Sequence, residues 1–395
     1  MLSLGKTVTN LARYRGRWDR LWQACGQRPY RSSEPPANPL TEVKRFGSNP
    51  GALRMFAYAP AYPARSPALV VVLHGCTQYA AGYNAGAGWS TLADRYGFFL
   101  LFPEQRPRNN PKRCFNWFRP GDTERGRGEA LSIRQMVERM IVDHGIDRAR
   151  IFVTGLSAGG AMTSVMLATY PDVFAAGAII AGLPYRAATN VPEAYESMFQ
   201  GSVRPAREWG DLVRQASPHQ GPWPRVSVWH GDADATVKPE NAGEIIKQWT
   251  DVHGVDSAPT RTEIVDGYPR QVWRNGAGEA VIESYTIAGM AHGTPLATGD
   301  DHPHVGAAGA FLLDVGISSS YHIAKFWGLT REKRILGARE RELASIVPKA
   351  PREALRTAVR EIAGADTAQS RSRSLSREIE TVITKALNAA GLRRP

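Results

Sequence analysis

Three cysteines in 395 residues are too few to build a disulfide scaffold. Their odd number leaves at least one thiol free or paired between chains. No stretch approaches the ~20 consecutive apolar residues that a membrane helix needs. Charged residues make up 22% and hydrophobic residues 43%, close to globular averages, so a largely disordered chain is excluded. There is no internal repeat. The start, MLSLGKTVTNLARYRGRW, lacks the unbroken apolar core of a secretory signal, because Lys6, Thr7, Thr9 and Asn10 interrupt every apolar run. That missing signal points to the cytoplasm.

What the chain does have is charge at its ends. Residues 1–50 carry a balance of +6 and residues 321–395 a balance of +8, while the middle is close to neutral at −2. Three regions are therefore expected: a basic N-terminal segment and linker over 1–50, a catalytic body over 51–330 and a basic tail over 331–395. Leu11, Tyr14, Trp18, Leu21 and Trp22 recur at helical spacing among four arginines, which describes a short basic amphipathic helix. In the tail, helices are expected over 332–347, 351–362 and 376–390, with a polar, poorly burying stretch over 364–376. Such ends suit an anionic surface or nucleic acid, or are simply solvated, and the amphipathic helix could touch a membrane or a hydrophobic granule. No specific nucleic acid partner is expected.

The body alternates strands and helices. ALVVVLH at 68–74, FFLLFPEQ at 98–105, IFVTG at 151–155, AAGAII at 175–180 and RVSVWHG at 225–231 are apolar and rich in branched residues, as strands buried on both faces are. Helices are expected at Trp89–Tyr96 and 158–170, and residues 271–287 read as a hairpin turning at Asn275–Gly276. This pattern means a mainly parallel sheet with helices on both faces, whose chemistry sits beyond the carboxyl ends of its strands.

Four segments in such positions carry reactive groups. Gly155-Leu156-Ser157-Ala158-Gly159 matches the G-x-S-x-G nucleophile elbow, which marks Ser157 as a nucleophile. His292, in AGMAHGTPL, follows the last strand and is the candidate base. The segment HGDADATV at 230–237 offers two carboxylates, Asp232 and Asp234, to orient it. HGCTQ at 74–78 is placed to give an oxyanion hole its second backbone N–H, from Cys76, beside that of Ala158. Cys76 as a nucleophile is the competing reading, without an elbow to support it. Asp300, Asp301, His302 and His304 look like metal ligands, but nothing else supports a metal, and no cofactor is expected.

Together these segments resemble the poly(3-hydroxybutyrate) depolymerase family of esterases, related to feruloyl and acetylxylan esterases. The resemblance rests on LHGCTQ at 73–78, FPEQ at 102–105, CFNWF at 114–118, GRGEALSI at 126–133, GLSAGG at 155–160, HGDADATV at 230–237, GMAHGTPL at 289–296 and GISSSYHIAKFWGL at 316–329. It implies an α/β-hydrolase fold, here with basic helical extensions at both ends. It also implies a Ser157–His292–Asp234 triad, with Asp232 in reserve, acting on a polyester, its oligomers or a short ester. Feruloyl or acetylxylan esters are the alternative substrates; a granule- or membrane-binding protein is the non-enzymatic alternative. The family habit is secretion, against the missing signal. Trp117 is read either as a core residue or, with Gln78, as a substrate contact. Cys76 and Cys114 are expected to pair if the protein is exported and to stay thiols in a reducing cytosol, with Cys25 alone. Glu129 and Arg127 are expected to anchor a helix start.

Overall fold

The computed structural model describes residues 39–299 and 303–330. The amphipathic helix near the N-terminus, the tail helices, Cys25, Asp300, Asp301 and His302 lie outside them.

Twelve strands and nine helices follow one another in the described residues. The strands are β1 (Thr41–Glu42), β2 (Arg54–Tyr58), β3 (Leu69–Leu73), β4 (Phe99–Glu104), β5 (Ile151–Leu156), β6 (Ala176–Ile180), β7 (Arg225–Gly231), β8 (Arg261–Val265), β9 (Tyr268–Arg274), β10 (Ala280–Ile287), β11 (Thr294–Leu296) and β12 (Leu312–Asp314). Ten of them form one sheet in the order β1-β2-β4-β3-β5-β6-β7-β10-β9-β8. The six central strands, β4 to β10, run parallel; the two pairs at each edge are antiparallel. The sheet therefore has one carboxyl edge, and β3, β5, β7 and β10 all end on it.

The apolar runs form central strands because both of their faces are covered. Along β3, Leu69, Val71 and Leu73 enter the core on one side of the sheet and Val70 and Val72 the core on the other. The first face carries helices α4 (Gly128–His144), α5 (Ala158–Thr169), α7 (Ala206–Arg214) and α8 (Glu240–His253). The second carries α1 (Ala80–Ala87), α2 (Trp89–Tyr96) and α9 (Ser319–Phe326). Helix α3 (Pro120–Thr123) is a single turn, and α6 (Val191–Gln200) belongs to a third, smaller core. That core gathers Trp117, Leu183, Met198, Phe199, Trp209 and Val237 beside the carboxyl edge.

The expected hairpin is β9–β10, paired antiparallel and closed through Asn275, whose N–H donates to Glu279 O at 3.0 Å. The apolar stretches 68–74, 98–105, 151–155, 175–180 and 225–231 are β3, β4, β5, β6 and β7. The fold is the α/β-hydrolase arrangement.

Candidate active site

Ser157 stands between β5 and α5 with φ 58° and ψ −116°, a positive φ that a serine rarely adopts. Its backbone is held there by an N–H bond to Ile180 O at 2.9 Å. The glycines around it are needed for space. A Cβ on Gly155 would meet the Gly159 backbone at 2.5 Å, and one on Gly159 would meet Leu73 O at 2.2 Å. Neither neighbour is a movable side chain. Gly159→Ala is therefore expected to destabilise the protein by about 3 kcal/mol, read as a lower urea midpoint. In a helix with free space the same change would stabilise by up to ~1 kcal/mol, so a raised midpoint would contradict this packing.

The loop after β7 holds Asp234, which is 2% exposed. Its Oδ1 accepts the N–H groups of Thr236 and Val237 at 2.8 and 2.9 Å. Its Oδ2 accepts His292 Nδ1–H at 2.7 Å, and His230 Nε2 lies 3.3 Å away. Burial works to raise the Asp234 carboxyl. The His292 charge and hydrogen bonds from both histidines outweigh it and hold the group well below the ordinary carboxylate range. With Nδ1–H given to Asp234, the Nε2 of a neutral His292 is left as an acceptor.

The loop after β3 faces the elbow. Its Cys76 N–H and the Ala158 N–H that opens α5 have no acceptor among the described residues. His74 braces this loop: Nδ1–H donates to Gly75 O at 2.8 Å, and Nε2 accepts Gln105 N–H at 3.1 Å. Complete burial drives the His74 pKa down, so the ring is neutral. A cavity of about 210 Å³ opens against Ser157, Ala158 and Cys76, with Leu183, Met198 and Val237 among its apolar lining.

The family model for esterase PHB depolymerase matches residues 55–264. A poly(3-hydroxyalkanoate) depolymerase C from Paucimonas lemoignei is 50% identical over 73% of this chain and 70% of its own length. An acetylxylan esterase from Coprinopsis cinerea is 36% identical over 66% of this chain and 71% of its own. Among solved structures, the acetyl xylan esterase from Aspergillus awamori superposes with a TM-score of 0.63 at 27% identity, covering 73% of this chain and 99% of that one. The chain belongs to the esterase PHB depolymerase family. It is a carboxylic ester hydrolase.

Within this family member, the other expected residues have definite places. Cys76 and Cys114 form a disulfide, with Cα atoms 4.2 Å apart. The sulfur of Cys76 is thus committed, which removes it as a nucleophile. Trp117 is 6% exposed, in the third core, and also lines the cavity. Gln78 does not line the cavity. Its Oε1 accepts Gly75 N–H at 2.8 Å and its Nε2 donates to Ala310 O at 3.3 Å, so it ties the loop after β3 to the segment before β12.

Asp232 is exposed and accepts the Gly289 N–H at 2.6 Å, bracing the loop that leads to His292. Glu129 does more than open a helix. Its buried carboxyl accepts Gln105 Nε2–H, Asn116 N–H and Asn116 Nδ2–H at 2.5, 2.9 and 2.7 Å, fixing the segment that carries Cys114. Burial, with the nearby Asp122 charge, pushes it up to about 8. The N–H of Glu129 is taken by Asp122 Oδ1 at 3.3 Å, and exposed Arg127 pairs with Glu124.

His230 was given no part by the sequence reading. It is 3% exposed and bonds Val237 O through Nε2 at 2.9 Å, while its buried Nδ1 has no partner among the described residues. Its one signal was its place in HGDADATV, two residues from the first carboxylate.

Proposed function

We propose that this esterase hydrolyses a hydroxyalkanoate polyester, its oligomers or a short-chain ester through Ser157, His292 and Asp234. The observation that carries the reading is the apolar cavity ending on Ser157. At about 210 Å³ it is smaller than the ~300–1,000 Å³ typical of drug-sized ligands. It suits one short alkyl segment, with the rest of the chain outside. Leu183, Met198 and Val237 favour an alkyl group inside the cavity over a sugar ring, whose hydroxyls would need polar partners there. The 50% identity to a poly(3-hydroxyalkanoate) depolymerase supports the same substrate.

In this mechanism Ser157 Oγ attacks the ester carbonyl carbon and its proton passes to His292 Nε2. Asp234 holds Nδ1–H and stabilises the imidazolium. The N–H groups of Cys76 and Ala158 receive the oxyanion. As the tetrahedral intermediate collapses, the C–O bond breaks and His292 returns the proton to the leaving alcohol. Water then hydrolyses the acyl-enzyme through the same histidine. The catalytic unit we propose spans 51–330.

The test offers wild type and Ser157→Ala three substrates, p-nitrophenyl butyrate, linear 3-hydroxybutyrate oligomers and amorphous poly(3-hydroxybutyrate). The expected result is release of nitrophenol and of soluble hydroxy acids by the wild type, and neither by the variant. Cleavage of p-nitrophenyl butyrate with the polymer and its oligomers untouched would overturn the polyester reading. The 36% identity to an acetylxylan esterase makes acetylated xylan the next substrate to offer.

A further inference from the structure

The segment between β4 and α3 is chemically one-sided. Residues 105–119 hold Arg106, Arg108, Lys112, Arg113 and Arg119, and the next carboxylate along the chain is Asp122, within α3. Among the described residues, this segment supplies six of the fifteen that line the cavity at Ser157, including Lys112 and Arg119. No aspartate or glutamate among the described residues lines that cavity. Both cations are exposed, so they stand at its mouth rather than in its apolar interior. Arg119 makes no ion pair among the described residues, and its guanidinium lies 5.9 Å from the Phe118 ring centre.

The segment is also held firmly. The disulfide to Cys76 ties it to the proposed oxyanion loop, and Thr77 N–H bonds Lys112 O at 2.6 Å. Glu129 fixes it from below through Asn116. Positive charge at a fixed height above an apolar pocket is complementary to a chain that is apolar along its length and anionic at one end.

From this charge and this placement we infer that Lys112 and Arg119 bind the terminal carboxylate of a hydroxyalkanoate oligomer whose ester lies at Ser157. The inference rests on the polyester reading above and narrows it: the preferred substrate is a chain end bearing a free acid. Every hydrolysis of such a polyester breaks an ester C–O bond and leaves one new carboxylate and one new hydroxyl. The products of one cut therefore present the recognised group for the next. A neutral alkyl or acetyl ester has no group for these cations.

The experiment compares the free acid of the linear 3-hydroxybutyrate dimer with its methyl ester. Each exposed cation–carboxylate contact contributes a factor of roughly two to five, so the wild-type kcat/KM should favour the acid about fivefold or more at low salt. The preference should shrink as salt shortens the Debye length towards ~3 Å at 1 M. In the double variant Lys112→Gln/Arg119→Gln the acid-to-ester ratio should fall towards one. The salt series needs no variant and so survives any folding failure of the double substitution. Equal rates on acid and methyl ester by the wild type, or a ratio that the substitutions leave intact, would overturn the inference while the esterase reading stood. Failure of the wild type on the methyl ester and the acid alike would instead bring down the polyester reading.

Discussion

Ser157→Ala should lower kcat for p-nitrophenyl butyrate by about 10⁴-fold or more, since removing a triad nucleophile elsewhere costs up to ~10⁶. The size follows from the site. The elbow holds the serine at φ 58° beside the cavity, and the nearby thiol candidate, Cys76, is bonded to Cys114. Alanine fits the same backbone as serine, so the fold should persist and the loss should be chemical. The check is an initial-rate assay beside an unchanged urea midpoint. Retention of more than a few per cent of activity would point to another nucleophile.

The second large effect separates the two carboxylates after β7. Asp234→Asn should cost about 10²- to 10⁴-fold in kcat, because an amide in that place can turn the histidine into the wrong tautomer. Asp232→Asn keeps an oxygen acceptor for Gly289 N–H and should cost less than about threefold. A larger loss at 232 than at 234 would reverse the assignment. The same lowered carboxyl has a signature in stability. Its contribution is complete above the ordinary value of 3.8 and is lost as pH falls towards the lower folded value. The wild type should therefore lose stability below about pH 4 more steeply than Asp234→Asn, as read by urea midpoints across that range.

Much of this fold was legible because its central strands are extreme. LVVVL and IFVTGL are apolar on both faces, and only a covered parallel sheet asks for that. The edges were not legible. β8, RTEIV, is half exposed and shows no clean alternation, so nothing in its composition distinguishes it from a loop. Helix α6 packs on the third core rather than on the sheet, and α7 divides its apolar residues between that core and the sheet, in a stretch with several prolines.

The site divides in the same way. Ser157 announces itself through local glycines, since its elbow is a demand of five consecutive residues. The Asp234–His292 bond joins positions 58 apart, and the Cys76–Cys114 bridge positions 38 apart; spacing along the chain says nothing about either. Gln78, Glu129 and His230 are hard to read for a related reason. Each bonds a backbone group, at Gly75, Asn116 and Val237, and backbone leaves no mark in the sequence.

The most direct test of the central claim is covalent. The wild type would be inactivated with diethyl p-nitrophenyl phosphate and its tryptic peptides sequenced by mass spectrometry. The account predicts one diethylphosphoryl group per inactivated chain, on Ser157 within the peptide spanning 151–186. Full inactivation with that serine unmodified and the adduct elsewhere would contradict it.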